Sequence, residues 1–303
     1  MAKGKSASGK IKLGTSDLVI RGIGYVLVTI YALACIIPFL IIIGTSFTSE
    51  TVIRSEGVKL IPKEFTTSAY DMVMKGGMIW KSYGLTILMT LTGTVVGLSI
   101  IAMTGYALQR KDYPFRNVIS FYIYFTTLFS AGLAPYYLLM TQTYKLNDSY
   151  FAVWLPLLMS SWLIILMKNF VKSIPHEITE SGKIDGAGDM KIFTSLILPM
   201  LKPGLATVGL FLALGYWNEW YQSSLFLSSR VSVKPLQYTL YQVVNNAQAL
   251  KDSVASQFVT NVDLPTESVK MANAVLATGP IVFLYPFVQR YFIGGITVGA
   301  VKG

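Results

Sequence analysis

The sequence has 303 residues, of which 53% are hydrophobic and only 13% charged, with a mean hydropathy of +0.54. That balance belongs to membrane proteins rather than to soluble globular or disordered chains. The net charge of +10 would suit nucleic acid, but no basic patch or nucleic-acid module accompanies it. A single cysteine, Cys35, excludes intrachain disulfides and cysteine metal sites, and a single histidine, His176, excludes a His-based metal or catalytic cluster.

Residues 1–21 form a Lys-rich tail with Gly and Ser, suited to an anionic leaflet. The apolar run that follows is too long for a signal-peptide core. Charge-free runs cover 22–49, 82–109, 117–144, 149–167 and 271–289, and 203–218 continues past the lone Glu219 through 229. Each is close to the roughly 20 apolar residues needed to cross a hydrocarbon core, so the expected fold class is an all-α membrane protein with six transmembrane helices over 22–303. Between them, 48–81 is a first extracytoplasmic segment with Ile61-Pro62-Lys63, Phe65 and Tyr70 as a small cap. The stretch Lys145–Asp148 is a tight outer hairpin. Segment 226–270 is a long outer segment whose Pro265 and Glu267 suit a helix start.

Orientation follows from charge. With both termini cytoplasmic, the inner segments carry a balance of +9 against +2 outside, the sign that positive-inside retention demands.

The polar stretch 171–203 is more organised than a connector needs to be. Pro175 and Glu177 suit a helix N-terminus, Gly186 and Gly188 end that helix, and Asp189 is placed to cap a second helix over 190–198, with Pro199 and Pro203 leading into the next span. Ile184 and Ala187 are expected to face outward at the bend, where small residues permit close approach by a partner.

Glu180-Ser181-Gly182 with Gly186, Leu196, Leu198 and Pro199 closely resembles the "EAA" loop of bacterial ATP-binding-cassette (ABC) importer permeases. The flanking Pro175, Ile184-Asp185-Gly186-Ala187 and Phe193 match its maltose-type carbohydrate importers. Ser181 and Gly182 replace the usual alanines and Leu196 the usual isoleucine. The likeness extends to Leu60-Ile61-Pro62-Lys63, Tyr216-Trp217-Asn218-Glu219 and Gln289–Gly295 with Gly299–Gly303. Leu264–Ser268 and Tyr285-Pro286-Phe287 are most similar to the aldouronate or complex-oligosaccharide branch.

The resemblance implies a type I importer permease fold in a bacterial cell membrane. It also implies a second homologous permease, two ABC ATPase subunits or domains that use ATP and Mg2+, and an extracytoplasmic sugar-binding protein. The chain itself is expected to hold no cofactor and no ATPase site, since Gly4-Lys5-Ser6 lacks the upstream glycine of a phosphate loop. On this resemblance Glu177, Glu180, Ser181, Gly182, Ile184, Asp185, Gly186, Ala187, Phe193 and Pro199 would contact the ATPase.

Substrate-path candidates are Tyr216, Trp217, Asn218, Glu219, Trp220 and Tyr221, with Tyr122 and Tyr124, then Tyr136 and Tyr137, behind them. Spacing sets Tyr216 and Trp220 on one helix face and Trp217 and Tyr221 on an adjoining one. Such aromatics serve equally as interfacial belts or packing, and Glu219 serves equally as a hydrogen-bonded helix contact. The rival class, an ion-coupled secondary carrier, has only Glu219 as an intramembrane coupling group. A membrane-embedded enzyme has no nucleophile–base or metal set.

Overall fold

The computed structural model describes residues 15–75, 77–256, 267–282 and 289. The 1–14 part of the basic tail, Leu264-Pro265-Thr266, Tyr285-Pro286-Phe287 and the C-terminal signature from Arg290 onward lie outside them.

Helices dominate because the apolar runs must satisfy every backbone group internally in lipid. Among the described residues, three helical stretches are long and apolar enough to cross a membrane: Val19–Ser46, Met78–Gln109 and Tyr150–Lys172. The first is the body of α1 (Thr15–Ser46) and the second is α4 (Met78–Gln109). The third consists of α7 (Tyr150–Leu158) and α8 (Ser161–Lys172), interrupted at Met159-Ser160. Short helices α2 (Glu50–Glu56) and α3 (Ser68–Met74) lie between α1 and α4 in the chain.

The 117–144 run is not one straight span. The helix α5 (Arg116–Leu128) stops, and α6 (Leu133–Leu138), prolonged by a π-helical turn over Leu139–Thr143, departs at 115°. The break centres on Gly132, whose φ of +86° is a conformation that glycine adopts without a Cβ clash. Thirteen residues of α5 span only about 20 Å, short of the hydrocarbon thickness.

Next come α9 (His176–Ile184), α10 (Asp189–Lys191) with a π-helical continuation Ile192–Ile197, and α11 (Leu198–Met200). At Leu201 the path turns by 84° into α12 (Lys202–Trp217), and after Asn218–Trp220 comes α13 (Tyr221–Phe226). The last helices are α14 (Leu236–Ser256) and α15, residues 267–282.

The centre of the bundle is α4, packed along α8 and α12. Its approach to both depends on Gly93, Gly97 and Gly105, spaced by four and eight and hence on one face. A Cβ at Gly93 would strike the Tyr216 ring; at Gly97 it would lie 2.8 Å from the Leu158 carbonyl oxygen, and at Gly105 2.8 Å from Met167 Cγ. Close backbone approach of this kind is what holds helices together where lipid is as apolar as leucine. The main core joins Ile101, Tyr106 and Leu108 of α4 to Leu163, Ile164 and Met167 of α8, Val208 and Leu212 of α12, and Ile192, Phe193 and Ile197 of the return that follows α8. Among the described residues, none in the apolar window of α1 is buried.

Candidate functional site

The 176–200 segment folds as an angular pair of helices. Pro175 stands at the N-cap of α9 and Glu177 in its first turn, where a carboxylate offsets the positive end of the helix dipole. The exit is a Schellman turn: Ala187 N–H donates to Gly182 O at 2.9 Å and Gly186 N–H to Lys183 O at 3.0 Å, with Gly186 left-handed at φ +74°. Gly188 has an ordinary φ of −68°, so Gly186 alone supplies the left-handed residue.

Two expectations are corrected here. Asp189 is not the N-cap of the second helix, since Gly188 holds that place and makes no side-chain cap. The Asp189 carboxylate instead meets Arg110 at 2.7 Å. Ala187 does not face outward, because it is half-buried against the main core.

What the bend exposes is apolar and acidic. Ile184 is 86% and Met190 65% exposed, and Glu177, Glu180, Ser181, Asp185, Gly186 and Pro199 also face outward. By contrast Gly182 and Phe193 are internal. A Cβ on Gly182 would come within 3.1 Å of Leu196 and Ile192 side chains, and the Phe193 ring packs on Tyr106 of α4 at 5.3 Å. These two attach the exposed helix to the bundle and do not themselves offer a contact surface.

A charge network missed in the sequence completes the site. Arg110, in the turn after α4, bonds Asp112 through Nε at 2.9 Å and Asp189 through Nη1 at 2.7 Å, while Lys183 Nζ reaches Asp112 at 2.6 Å. The 110–116 turn is thereby tied to both helices of the bend. The Arg110 guanidinium, aided by Lys183, holds the Asp112 carboxyl well below the usual carboxylate range, and the two aspartates raise Arg110 in turn.

The candidate path residues divide sharply. The helix breaks at Asn218–Trp220, so Tyr216 and Trp220 do not share a continuous face. Tyr216 is 2% exposed, and its hydroxyl donates to Trp154 O at 2.8 Å. Trp217 is also buried and donates from Nε1 to Ala277 O at 3.0 Å. Glu219 is buried at the start of α13, where it accepts from Ser223 Oγ at 2.6 Å and from the backbone N–H groups of Gln222 and Ser223. Its partners are a hydroxyl and backbone, as in a helix contact. Trp220, Tyr221, Tyr122 and Tyr124 are exposed, and so is Asn218.

A groove of about 550 Å³ between α5 and α8 is lined by Arg116, Lys168 and Lys172 with Asn117, Ser120 and Asn169 and, among the described residues, by no carboxylate. Lys168 Nζ donates to Ser120 Oγ at 2.8 Å.

The fold is that of a helical membrane subunit whose exposed, glycine-bent helix pair is joined to its core through Ile192, Phe193 and Ile197. The chain belongs to the family described as binding-protein-dependent transport system inner membrane component, whose model matches residues 97–298. It is a permease subunit of an ABC importer and works with an ATPase and a substrate-binding protein. It is 34% identical over 287 residues, covering 95% of this chain and 98% of the other, to the polygalacturonan/rhamnogalacturonan transport system permease protein YtcP of Bacillus subtilis (strain 168). It is 27% identical over 284 residues, 90% of this chain and 93% of the other, to the arabinooligosaccharides transport system permease protein AraQ of Halalkalibacterium halodurans. Among solved structures, a bacterial ABC transporter involved in the import of the acidic polysaccharide alginate contains a chain with a TM-score of 0.78 and 29% identity, covering 93% of this chain and 99% of that one.

Proposed function

We propose that this chain imports oligosaccharides, uronate-containing ones in particular, as one of two homologous permease halves. The observation that carries this is near full-length similarity to a permease named for polygalacturonan and rhamnogalacturonan. The cation-lined groove supports an acidic cargo, since a carboxylate moving through a low-dielectric path is stabilised by nearby fixed cations. The further parts of the reading are six spans in a bacterial cell membrane with both termini cytoplasmic, two ABC ATPase subunits or domains that hold ATP and Mg2+, and an extracytoplasmic sugar-binding protein. Domain limits are 1–21 for the tail, 22–303 for the permease, 48–81 and 226–270 for the outer segments and 171–203 for the coupling loop.

Coupling rests on Ile184, Gly186 and the exposed carboxylates Glu177, Glu180 and Asp185, which enter a groove on the ATPase. Because Phe193, Ile192 and Ile197 are packed into the core with α4, α8 and α12, displacement of the bend moves those helices as a body; close-packed interiors transmit strain rather than absorb it. Glu219 is committed to capping α13, which leaves an ion-coupled carrier without its coupling group.

The test is uptake of a labelled galacturonate oligomer and of a labelled maltooligosaccharide by the reconstituted complex with its binding protein and ATP. ATP-dependent uptake of the galacturonate oligomer is expected. Uptake of the neutral sugar alone would refute the acidic cargo, and uptake of neither would refute the sugar reading.

A further inference from the structure

The groove between α5 and α8 is graded from cationic to apolar. Ser120 of α5 meets Lys168 of α8 and Thr126 meets Ser161, the reversed order of antiparallel helices, so Arg116 at the start of α5 and Lys172 at the end of α8 share one end of the groove. Lys168 and Ser120 lie a turn further in, and Tyr124, Ile164 and Ile165 beyond them. At about 1.5 Å per residue, Lys168 stands about 6 Å and Ile164 about 12 Å from Lys172 along the helix. Lys172 closes the apolar stretch Tyr150–Lys172, which sets the cations at the edge of the hydrocarbon and the isoleucines inside it.

The charge there is unbalanced. Lys168 Nζ donates to Ser120 Oγ at 2.8 Å and Arg116 Nη1 to Arg110 O at 3.3 Å, both neutral acceptors, and among the described residues no carboxylate lines the groove. Like charges at the edge of a low-dielectric region repel one another with little screening, and a bound anion relieves that repulsion. A free phosphate or a cargo carboxylate would satisfy the cations alone. Neither uses Ile164, Ile165 or the Phe121 ring, which is 67% exposed and lines the same groove. An anionic phospholipid uses both ends, since its phosphate is charged and its acyl chain gains from apolar contact.

We propose that the α5–α8 groove seats an anionic phospholipid, its phosphate between Arg116, Lys168 and Lys172 and one acyl chain along Phe121, Ile164 and Ile165. Basic pockets between membrane helices are headgroup sites for this reason. A single phosphodiester carries one negative charge against the three cations that line the groove, so a positive field remains for an acidic cargo. The lipid site does not depend on which sugar is carried.

The experiment uses the full complex in nanodiscs of phosphatidylcholine with a minor fraction of phosphatidylglycerol. In a Cys35→Ser background, Asn169→Cys, on an exposed position that lines the groove, carries a photoreactive benzophenone, and lipid adducts on its peptide are counted by mass spectrometry. Phosphatidylglycerol is expected to be enriched about tenfold over its share of the bilayer, and Lys168→Gln with Lys172→Gln to abolish that enrichment. The pair Lys168→Arg with Lys172→Arg keeps the charge and should keep the enrichment, while co-purification of all subunits verifies assembly. Where the neutral pair does not assemble, Lys172→Gln alone, at an exposed side chain, is expected to lower the enrichment about fivefold. Adducts in proportion to the bilayer composition, or enrichment that survives loss of the lysine charge, would overturn the site. Added glycerol phosphate and added galacturonate oligomer should each leave the adducts in place. Loss of adducts to glycerol phosphate would reduce the site to one for a free anion, and loss to the oligomer would assign the groove to the cargo; either result overturns the lipid.

Discussion

Glu50 and Ser268 stand 218 positions apart in the chain and are joined by two hydrogen bonds, from Ser268 N and from Ser268 Oγ, each 3.1 Å from Glu50 Oε2. Glu267 N donates to the same carboxylate at 3.1 Å, and Arg54 approaches it at 3.4 Å. The first residue of α2 thus caps the N-terminus of α15. Removing the cap in Glu50→Ala strands buried donors and is expected to cost about 1–3 kcal/mol, while Ser268→Ala, which removes one donor, should cost about 1 kcal/mol. Thermal unfolding of the purified complex measures both. Equal, negligible shifts would show that the cap is not structural.

The α4 glycine face makes a second prediction. Gly97→Leu drives a side chain at the Leu158 carbonyl, which is backbone and cannot rotate away; overpacking of this kind typically costs about 1–3 kcal/mol. Tyr216→Ala, on the same interface, should destabilise by about 3–5 kcal/mol through its cavity, whereas Tyr216→Phe loses only the bond to Trp154. The amount of assembled complex recovered from membranes should follow that order.

At Gly186 the obstacle to substitution is conformation, for a Cβ there would meet nothing within 4 Å. Leu in the left-handed region costs about 1–2 kcal/mol, but Asn enters it readily. Gly186→Leu should therefore abolish transport and weaken ATPase co-purification or binding-protein-stimulated hydrolysis. Gly186→Asn should retain a substantial part of each. If Gly186→Leu leaves both partner measurements normal, the bend is not the coupling element.

The Arg110 network carries a pH signature. The folded Asp112 carboxyl is depressed, so its stabilisation is complete above the unfolded value of about 3.9 and disappears only as pH falls through the lower folded value. Wild type and Asp112→Asn should differ by a constant amount at any pH above about 5 and converge only in strong acid. The Asp112 and Lys183 side chains are 45% and 43% exposed, so the difference should stay at about 1 kcal/mol or less and shrink with salt. Melting temperatures across pH and ionic strength decide this, and a difference that titrates near neutrality would contradict the assignment.

The orientation is tested by single cysteines in a Cys35→Ser background. Ser55→Cys is expected to react with an impermeant thiol reagent in intact cells and Ser181→Cys only after lysis, since both positions are exposed on the protein surface. Labelling of position 181 in sealed cells would reverse the topology.

The sequence by itself located the apolar runs, the polar loop with its glycine bend, and the family, because these depend on local rules: run length against bilayer thickness, proline at a helix start, glycine at a left-handed exit. It could not sort lipid-facing from core-facing positions. A membrane helix is apolar all round, so periodicity does not mark the packed side, and only the tertiary structure decided that Tyr216 and Trp217 are internal while Trp220 is open. The break at Gly132 was hidden in a continuous apolar run. The Glu50 cap and the Arg110–Asp112–Asp189 network depend on residues far apart in the chain, whose meeting is set by how the bundle closes and leaves no local signal.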